Sequence, residues 1–438
     1  MGTLIMIAQL ILGLSILVFI HELGHYLAAR AFKIRVEKFY LFFDAWNFKL
    51  FKYKKGDTEY GIGWLPFGGY VKIAGMIDES MDKEAMKLPP QPWEFRSKPA
   101  WQRLIVMVAG VIMNLILGMV IFTAVILHYE KEYLPTSQIS NGIYAFPAGR
   151  DIGFVTGDKI LKLNGQNVER FKDVVSANVI MGATITVDRN GKTIDVIVPD
   201  TLFRIYNKNI RDFFIDAQNF DFSIDSIIPG KGAEKAGLKK NDKVISLDSL
   251  KINSFGSFRE NMWNFKSKKV NMGILRGKDT LQLAVQIDSN GAIGIAIPLA
   301  PYKLEKYTLI SGIRYGIKDA MGNLWANIRG LGKIFKGKAS ASESIQGPIG
   351  IMKIYGDIWD WHRFWVITGL ISVVLAFMNI LPIPALDGGH VIFTTWELIT
   401  RRKVNQKVLE RAQVIGMILL IALMVFAVFN DVWKNFIR

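Results

Sequence analysis

His21 and His25 stand four residues apart in "LVFIHELGHYLAAR" (residues 17–30), with Glu22 beside the first of them. On a helix, positions i and i+4 share a face, so both imidazoles can reach one metal ion. Glu22 lies next to that face, where its carboxylate can accept a proton from water activated by the ion. This is chemistry for hydrolysis, and it needs water. The residues before it are apolar from the start of the chain, a setting for lipid. Ionisable groups are costly in a membrane and mark function by default. His21, Glu22 and His25 are therefore read as part of a site rather than as a polar helix end.

Catalytic zinc takes three protein ligands and keeps one position open. The chain has no cysteine and five histidines, so the search for a third ligand is short. His128 and His362 fall at the outer ends of apolar stretches, a bilayer away from His21. Asp387, in "MNILPIPALDGGH" (378–390), is a carboxylate at the inner end of an apolar stretch with no basic residue nearby. Pro382 and Pro384 break the helix before it, and Gly388 and Gly389 loosen the backbone after it, so Asp387 can turn inward. His390 is the competing ligand.

Four uncharged stretches must carry these residues, approximately 3–20, 104–127, 365–386 and 413–430. Each approaches the roughly 20 residues that a bilayer requires. No Lys or Arg precedes Arg30, and the first stretch runs straight into the histidines, so it reads as a retained anchor rather than a signal peptide. Lys and Arg are dense in 30–103 and again at Arg401, Arg402, Lys403, Lys407 and Arg411. The positive-inside rule puts both loops in the cytoplasm, with the N-terminus, the middle region and the C-terminus outside. The net charge of +16 then reads as contact with anionic membrane lipids and as topology-setting loop charge. No basic run is interleaved with stacking aromatics on a soluble element, so nucleic acid is not an expected partner.

The middle region changes character and repeats itself. "IGFVTGDKILKLNG" (152–165) and "AGLKKNDKVISLDS" (236–249) share G-[FL]-x-x-[GN]-D-K-[IV]-[IL]-x-L-[ND], offset by 84 residues. Two copies at that spacing predict tandem small domains. Between the first two spans, "YGIGWLPFGGYVKIAGM" (60–76) alternates apolar and small residues, which predicts a β-hairpin dipping into the membrane from the cytoplasmic side. Further on, Ile310, Ile313, Ile317, Leu324, Ile328, Leu331 and Phe335 recur at helical spacing, with Arg314, Lys318, Lys333 and Lys336 between them. That predicts a basic amphipathic helix at the membrane surface.

The repeated segments resemble PDZ domains of the bacterial protease-associated kind, with "IIPGKGAEKAGL" (227–238) as the short helix of the second copy. "AFPAGRDIGF" in the first copy departs from that pattern. His-Glu-x-x-His in the first span, Asn-x-x-Pro-x-Pro-x-Leu-Asp-Gly at 379–388 and the two copies between spans two and three together resemble the bacterial site-2 proteases. The nearest type is the inner-membrane regulator-of-sigma protease, and the resemblance covers essentially the whole chain. It implies one zinc ion on His21, His25 and Asp387, with Glu22 as general base. It implies that Asn379 orients substrate near the scissile carbonyl, with Pro382, Pro384 and Asn114 also on the substrate side. Gly61, Gly63, Gly68 and Gly69 would belong to a membrane re-entrant loop that meets the substrate. Where the family often has Ala-Gly-Pro-x-x-Asn, this chain has "AGVIMN" (109–114), so its second span should be straighter.

The expected architecture is thus a polytopic α-helical membrane protein. It has four transmembrane helices, a membrane re-entrant β-hairpin and two inserted extracytoplasmic PDZ-like α+β domains. The expected segments are a first span at 1–31, a cytoplasmic-side loop at 32–103 and a second span at 104–134. PDZ-like domains follow at 135–218 and 219–300, then a surface helix at 301–345, a third span with its following helix at 365–400, and a fourth span with the C-terminus at 412–438. The implied activity is intramembrane proteolysis of single-pass membrane proteins, such as anti-sigma-like substrates after a first cut and remnant signal peptides. The implied place is a bacterial inner membrane. Peptide C-termini are candidate ligands of the PDZ-like copies, which would otherwise act as spacers or size filters. Two rival classes are a membrane scaffold with a vestigial zinc site and a transporter or channel.

Overall fold

The chain separates into two units, Met1–Glu130 with Thr308–Arg438, and Lys131–Tyr307. The structure is a computed structural model that describes residues 2–76, 89–202, 214–220, 222–289, 291–297, 302–337 and 347–433. Parts of the expected segments 32–103, 135–218, 219–300, 301–345 and 412–438 lie outside the described residues.

The apolar N-terminal run forms one helix, α1 (Gly2–Ala31), which continues unbroken through His21 and His25. At 1.5 Å per residue it is about 45 Å long, so both histidines ride on the same rigid rod as the membrane anchor. Four strands come next: β1 (Val36–Phe43), β2 (Lys49–Lys55), β3 (Thr58–Gly63) and β4 (Leu65–Ile73). Their order is β2-β3-β1-β4, which corrects the expected hairpin at 60–76. β3 and β4 are consecutive in sequence but do not pair with each other. β1 lies between them, parallel to β3 and antiparallel to β4. Only Trp64 separates the two strands, too little for a two-residue hairpin turn, and the chain instead crosses the end of β1. Gly63 permits the crossing, because a Cβ there would collide with the Phe43 carbonyl and lie 2.7 Å from the Phe42 oxygen.

The sheet is bound to the helices by a shared core of Ala29, Ile34, Val36, Phe39, Val71, Ile73, Val106 and Met107. The second span, α2 (Ala100–Val125), is continuous through Val111 and begins just after Pro99.

The second unit holds the two repeats, and they fold alike. The first contains β6 (Ile143–Ala145), the short helix α3 (Pro147–Asp151), β7 (Lys159–Leu163), β8 (Gln166–Asn167), helical turns α4 (Phe171–Val174) and α5 (Ala177–Ile180), β9 (Ala183–Arg189), β10 (Lys192–Val198) and β11 (Ile215–Ala217). The second contains β12 (Ser226–Ile227), α6 (Gly232–Lys235), β13 (Lys243–Leu247), β14 (Leu250–Lys251), α7 (Phe255–Asn264), β15 (Lys269–Arg276), β16 (Asp279–Gln286) and β17 (Ile295–Ala296). The sheets run β10-β9-β7-β8 and β14-β13-β15-β16, the same order read from opposite ends, and each repeat adds a two-stranded ladder, β11-β6 or β12-β17. Even the register irregularity recurs, between Ile160 and Lys162 and between Val244 and Ser246. Each repeat has its own core, around Phe154, Val187 and Phe214 or around Phe222, Met272 and Ile287. The pair β5 (Glu132–Tyr133) and β18 (Glu305–Lys306) brings the ends of the unit together.

The chain then returns to the first unit with α8 (Leu309–Phe335), opened by a capping box between Thr308 and Ser311. The sequence marks the isoleucines as its special face. Ile310, Ile313 and Ile317 are exposed, and the seated face is Gly312, Gly316 and Ala320. Gly312 sits against Leu127, Gly316 against Thr123, and Ala320 packs with Phe122 and Val373. Small residues at i, i+4 and i+8 let helix backbones approach closely, as between membrane helices. Next come α9 (Pro348–Tyr355) and two helices that matter for the site, α10 (Trp361–Ile380) and α11 (Asp387–Thr400). The last helix is α12 (Gln406–Val432). Among the described residues, four helices are long and apolar enough to cross a membrane: Gly2–Ala31, Ala100–Glu130, Trp361–Ile380 and Lys407–Val432. The protein is a multi-pass membrane protein with β-rich segments.

Candidate metal centre and active-site cleft

The proline motif ends α10 at Ile380, and the chain turns before α11 starts at Asp387. The turn is tight. Ala385 is held at φ +81°, and a Cβ on Gly388 would meet the Leu381 and Ile380 carbonyls. Gly389 fits against Pro384, where a Cβ would lie 2.7 Å from its Cα, and Gly416 of α12 abuts the Pro384 backbone. Glycine is the residue that lets backbone come this close. The folded turn delivers Asp387 to α1.

There the donors converge. His21 Nε2 lies 3.2 Å from His25 Nε2 and 3.2 Å from Asp387 Oδ2, and His25 Nε2 lies 3.4 Å from the same oxygen. Zinc–ligand bonds of about 2.0–2.1 Å in a tetrahedron put neighbouring donors about 3.3 Å apart. Asp387 Oδ2 is buried and has no hydrogen-bond partner, a costly state for a carboxylate unless a cation takes its charge. The donor set and its spacing fit a zinc ion. These three form the candidate metal cluster found among the described residues. His390 lines the same cleft but is not in the cluster, and His128 and His362 instead contact Tyr129, with ring centroids 4.5 and 5.2 Å away.

The supports of the ligands come largely from α2. His25 Nδ1 is 2.8 Å from the Val106 carbonyl oxygen. That bond places the ring proton on Nδ1 and frees Nε2 for a metal. Sequence reasoning missed Val106, since any residue offers a carbonyl. Gly24 on α1 meets Ala109 and Gly110 on α2, where a Cβ would stand 2.8 Å from the Ala109 carbonyl carbon. The two helices therefore touch almost backbone to backbone beside the site.

Glu22, His21, His25 and Asp387 open onto a cleft of about 750 Å³. Asn379 faces it too, with Nδ2 3.3 Å from His21 Nε2. The far wall is β4, the last strand of its sheet, and the Val71 backbone N–H faces the Glu22 carboxylate. Of the glycines expected to meet substrate, Gly68 and Gly69 line the cleft. Gly61 instead lies against the Tyr40 ring, with a Cβ position 2.7 Å from the hydroxyl, and Gly63 lets the chain cross the end of β1. Pro382 and Pro384 shape the turn. Asn114 lines the cleft but is buried against His21.

A polar cluster on the sheet, unnoticed in the sequence, forms one rim. Lys38 Nζ donates to Asp44 at 3.2 Å and to the Tyr70 hydroxyl at 3.1 Å, and Tyr70 donates to Asp44 at 2.8 Å. Lys49 and Tyr40 both donate to Glu59, at 2.7 and 2.5 Å. Those two bonds hold the Glu59 carboxyl down at about 2. The alternation of Lys, Tyr and acidic residues along β1–β4 was a signal for it, but pairing across the sheet was needed to see it.

The family model described as peptidase family M50 matches residues 9–423. A protein provisionally named a zinc metalloprotease in Clostridium perfringens is 26% identical over 427 residues, covering 96% of this chain and 97% of its own. One so named in Treponema pallidum is 26% identical, covering 98% of each chain. The metalloprotease MmpA of Caulobacter vibrioides is 26% identical, covering 98% of this chain and 96% of its own. The match spans both halves of the metal cluster, α1 and the turn into α11, and the donors they bring together suit the zinc that the first two of these relatives are named for. The chain belongs to peptidase family M50 and is a zinc metalloprotease.

Proposed function

We propose that the protein hydrolyses peptide bonds within or next to the transmembrane helix of single-pass membrane proteins. The observation that carries this reading is where the donors come from. His21, His25 and Asp387 reach one point from α1 and from the turn between α10 and α11, elements of the membrane unit. A soluble peptide has no need of a site built on membrane spans.

His21, His25 and Asp387 would hold the zinc. Bound zinc supplies Lewis-acid polarisation of a carbonyl and lowers the pKa of water. Glu22, aimed by the Val71 N–H, is placed to take a proton from the attacking water and return it to the leaving amine nitrogen. Asn379 is placed to hold the substrate carbonyl. A membrane helix hides its carbonyls in intrahelical bonds, so a few residues must unwind before cleavage. The outer edge of β4 offers them replacement partners by strand addition. Gly69, two residues from Val71, points its backbone groups the same way, and its lack of a Cβ lets β4 seat against Val18 of α1, where a Cβ would lie 2.7 Å from Cγ1.

The two repeats act as PDZ-like modules outside the membrane in this reading. A groove of about 650 Å³ lies between α7 and the segment around β17 of the second repeat, walled on one side by Phe146, Pro147 and Ala148 of the first, and it suits an extended peptide C-terminus. In the first, α4 and α5 stand in place of one long helix, so its role would be to exclude bulky substrates. Substrates would then be anti-sigma-like proteins already cut once, and remnant signal peptides. The setting would be a bacterial inner membrane with both termini outside and α8 in contact with lipid. The scaffold alternative gains nothing from a site with all its catalytic-type residues in place.

The test is cleavage of a short single-span peptide in detergent, by wild type and by Glu22→Gln, with zinc measured on both. Wild type should cut, and the variant should hold about one zinc while losing about 10²–10⁴-fold in rate. A wild type that carries zinc and cuts a soluble peptide, but no single-span peptide, would overturn the intramembrane reading.

A further inference from the structure

We infer that Asn114 is a positioning residue for His21, the hydrogen-bond acceptor that fixes the metal-binding form of that imidazole, and not a substrate contact. The inference rests on His21, His25 and Asp387 being the zinc ligands.

Val106, Gly110 and Asn114 are spaced four residues apart, so they form one stripe along α2. Each position of the stripe meets the metal cluster. The Val106 carbonyl takes the Nδ1 proton of His25. Gly110 passes flush under both rings. A Cβ there would collide with His25 Nε2 and lie 2.8 Å from His21 Cε1 and 2.9 Å from His21 Nδ1. One turn further, the Asn114 side-chain amide lies 3.3 Å from His21 Nδ1. Asn114 is only 1% exposed, so its amide must find partners inside the protein.

The chemistry selects the amide's orientation. For His21 to offer the Nε2 lone pair to a metal, its proton must sit on Nδ1 and needs an acceptor. With Nδ2 towards the ring, two donors face each other and Asn114 Oδ1 is left buried without a partner. Turning the amide by 180° costs no space, ends the facing of two donors and places Oδ1 on the Nδ1 proton, while Nδ2 takes the inner position that Oδ1 leaves. His21 then has the same kind of support from Asn114 that His25 has from Val106. The asparagine is itself fixed in place: the Ser372 hydroxyl of α10 donates to its backbone carbonyl at 2.7 Å. That bond ties the stripe to the helix that ends in the Asn379 motif.

The test uses the full-length protein in detergent, stripped of zinc and titrated against a chelator of known zinc affinity. Asn114→Leu has the same number and branching of side-chain heavy atoms and no acceptor, and it should weaken zinc binding by about 10–100-fold. Asn114→Asp keeps an oxygen at the same place and should bind zinc at least as tightly as wild type. The zinc-free forms of wild type and Asn114→Leu should unfold at similar temperatures, and zinc-free Asn114→Asp, which buries a further carboxylate, no higher. Wild-type zinc affinity in Asn114→Leu, with cleavage lost through a raised KM, would return Asn114 to the substrate path and overturn the proposal. So would an equal loss of zinc in both variants, or an Asn114→Leu protein that is as destabilised without zinc as with it. Wild-type zinc binding by His21→Ala would be a different failure, that of the ligand assignment itself.

Discussion

Asp242 in the second repeat and Asp387 in the membrane unit are both carboxylates drawn out of water, and their surroundings differ in kind. Asp242 receives Nε and a terminal nitrogen of Arg276, each at 2.8 Å, and the Lys239 backbone N–H at 2.8 Å. The first repeat builds the same clamp from Asp158, Arg189 and the Val155 N–H. In both copies the arginine also reaches back to a glycine carbonyl, Gly237 or Gly153. Every acceptor there has a donor. Asp387 instead brings one buried oxygen, Oδ2, which lacks a hydrogen-bond partner, to 3.2–3.4 Å from two imidazole nitrogens. A saturated buried charge holds a fold together. A convergent set left unsaturated waits for a ligand, and the comparison separates the two without reference to any motif.

The largest effect that would break this contrast concerns Asp387. Asp387→Asn keeps the shape of the side chain but removes the charge that opposes zinc. Zinc content should fall from about one per chain to nearly none, and cleavage should go with it, because a catalytic site needs all three ligands. The zinc-free variant should be at least as stable as zinc-free wild type, since it no longer buries an uncompensated carboxylate. A clear loss of zinc-free stability, measured by thermal unfolding, would mean that Asp387 is also a structural group.

Asp242→Ala should do the reverse. It leaves Arg276 without its partner and should destabilise the second repeat by about 3 kcal/mol, the low end for a broken buried pair because the arginine is partly exposed. Zinc content and cleavage of a single-span peptide should stay at wild-type levels. Hydrogen exchange of the β13–β15 amides would read the local loss. Loss of zinc in this variant would show that the repeat does more than hold its own fold.

The same contrast explains what could be read from the sequence. His21, Glu22 and His25 were legible because one helical turn fixes their relation. Asp387 was legible because so few carboxylates lie at the end of a span, and because two prolines and two glycines surround it. The repeated Asp of G-D-K and N-D-K was visible as a repeat, but its partners Arg189 and Arg276 lie more than thirty residues on. The sheet misled at Gly63, since β1 comes between β3 and β4 only through pairing across the sequence. On α8, periodicity pointed to the isoleucines, whereas Gly312, Gly316 and Ala320 make the contact. Lipid is as apolar as a protein core, so in a membrane hydrophobicity does not tell a packed face from an exposed one.

The smallest predicted effect tests the saturated side of the comparison through pH. Burial pushes the Asp242 carboxyl up, but the two Arg276 bonds and the Lys239 N–H outweigh it and hold it below the ordinary carboxylate range. Its folded value therefore lies under the unfolded value of about 3.9. Stability from the clamp is fully present above that unfolded value and drains away as pH falls through the folded one. Arg276→Gln should lower β13–β15 protection at neutral pH, and the gap from wild type should narrow as the medium is taken below about pH 4, once exchange rates are corrected for pH. The narrowing is the informative part, because a charge clamp weakens when its carboxylate is protonated and a packing contact does not. A gap that stayed constant down to the lowest pH at which the repeat is folded would mean that Arg276 acts through its bond to Gly237 and the packing of its stem. Asp242 would then be satisfied mainly by its backbone partner, and saturation rather than charge would be what distinguishes it from Asp387.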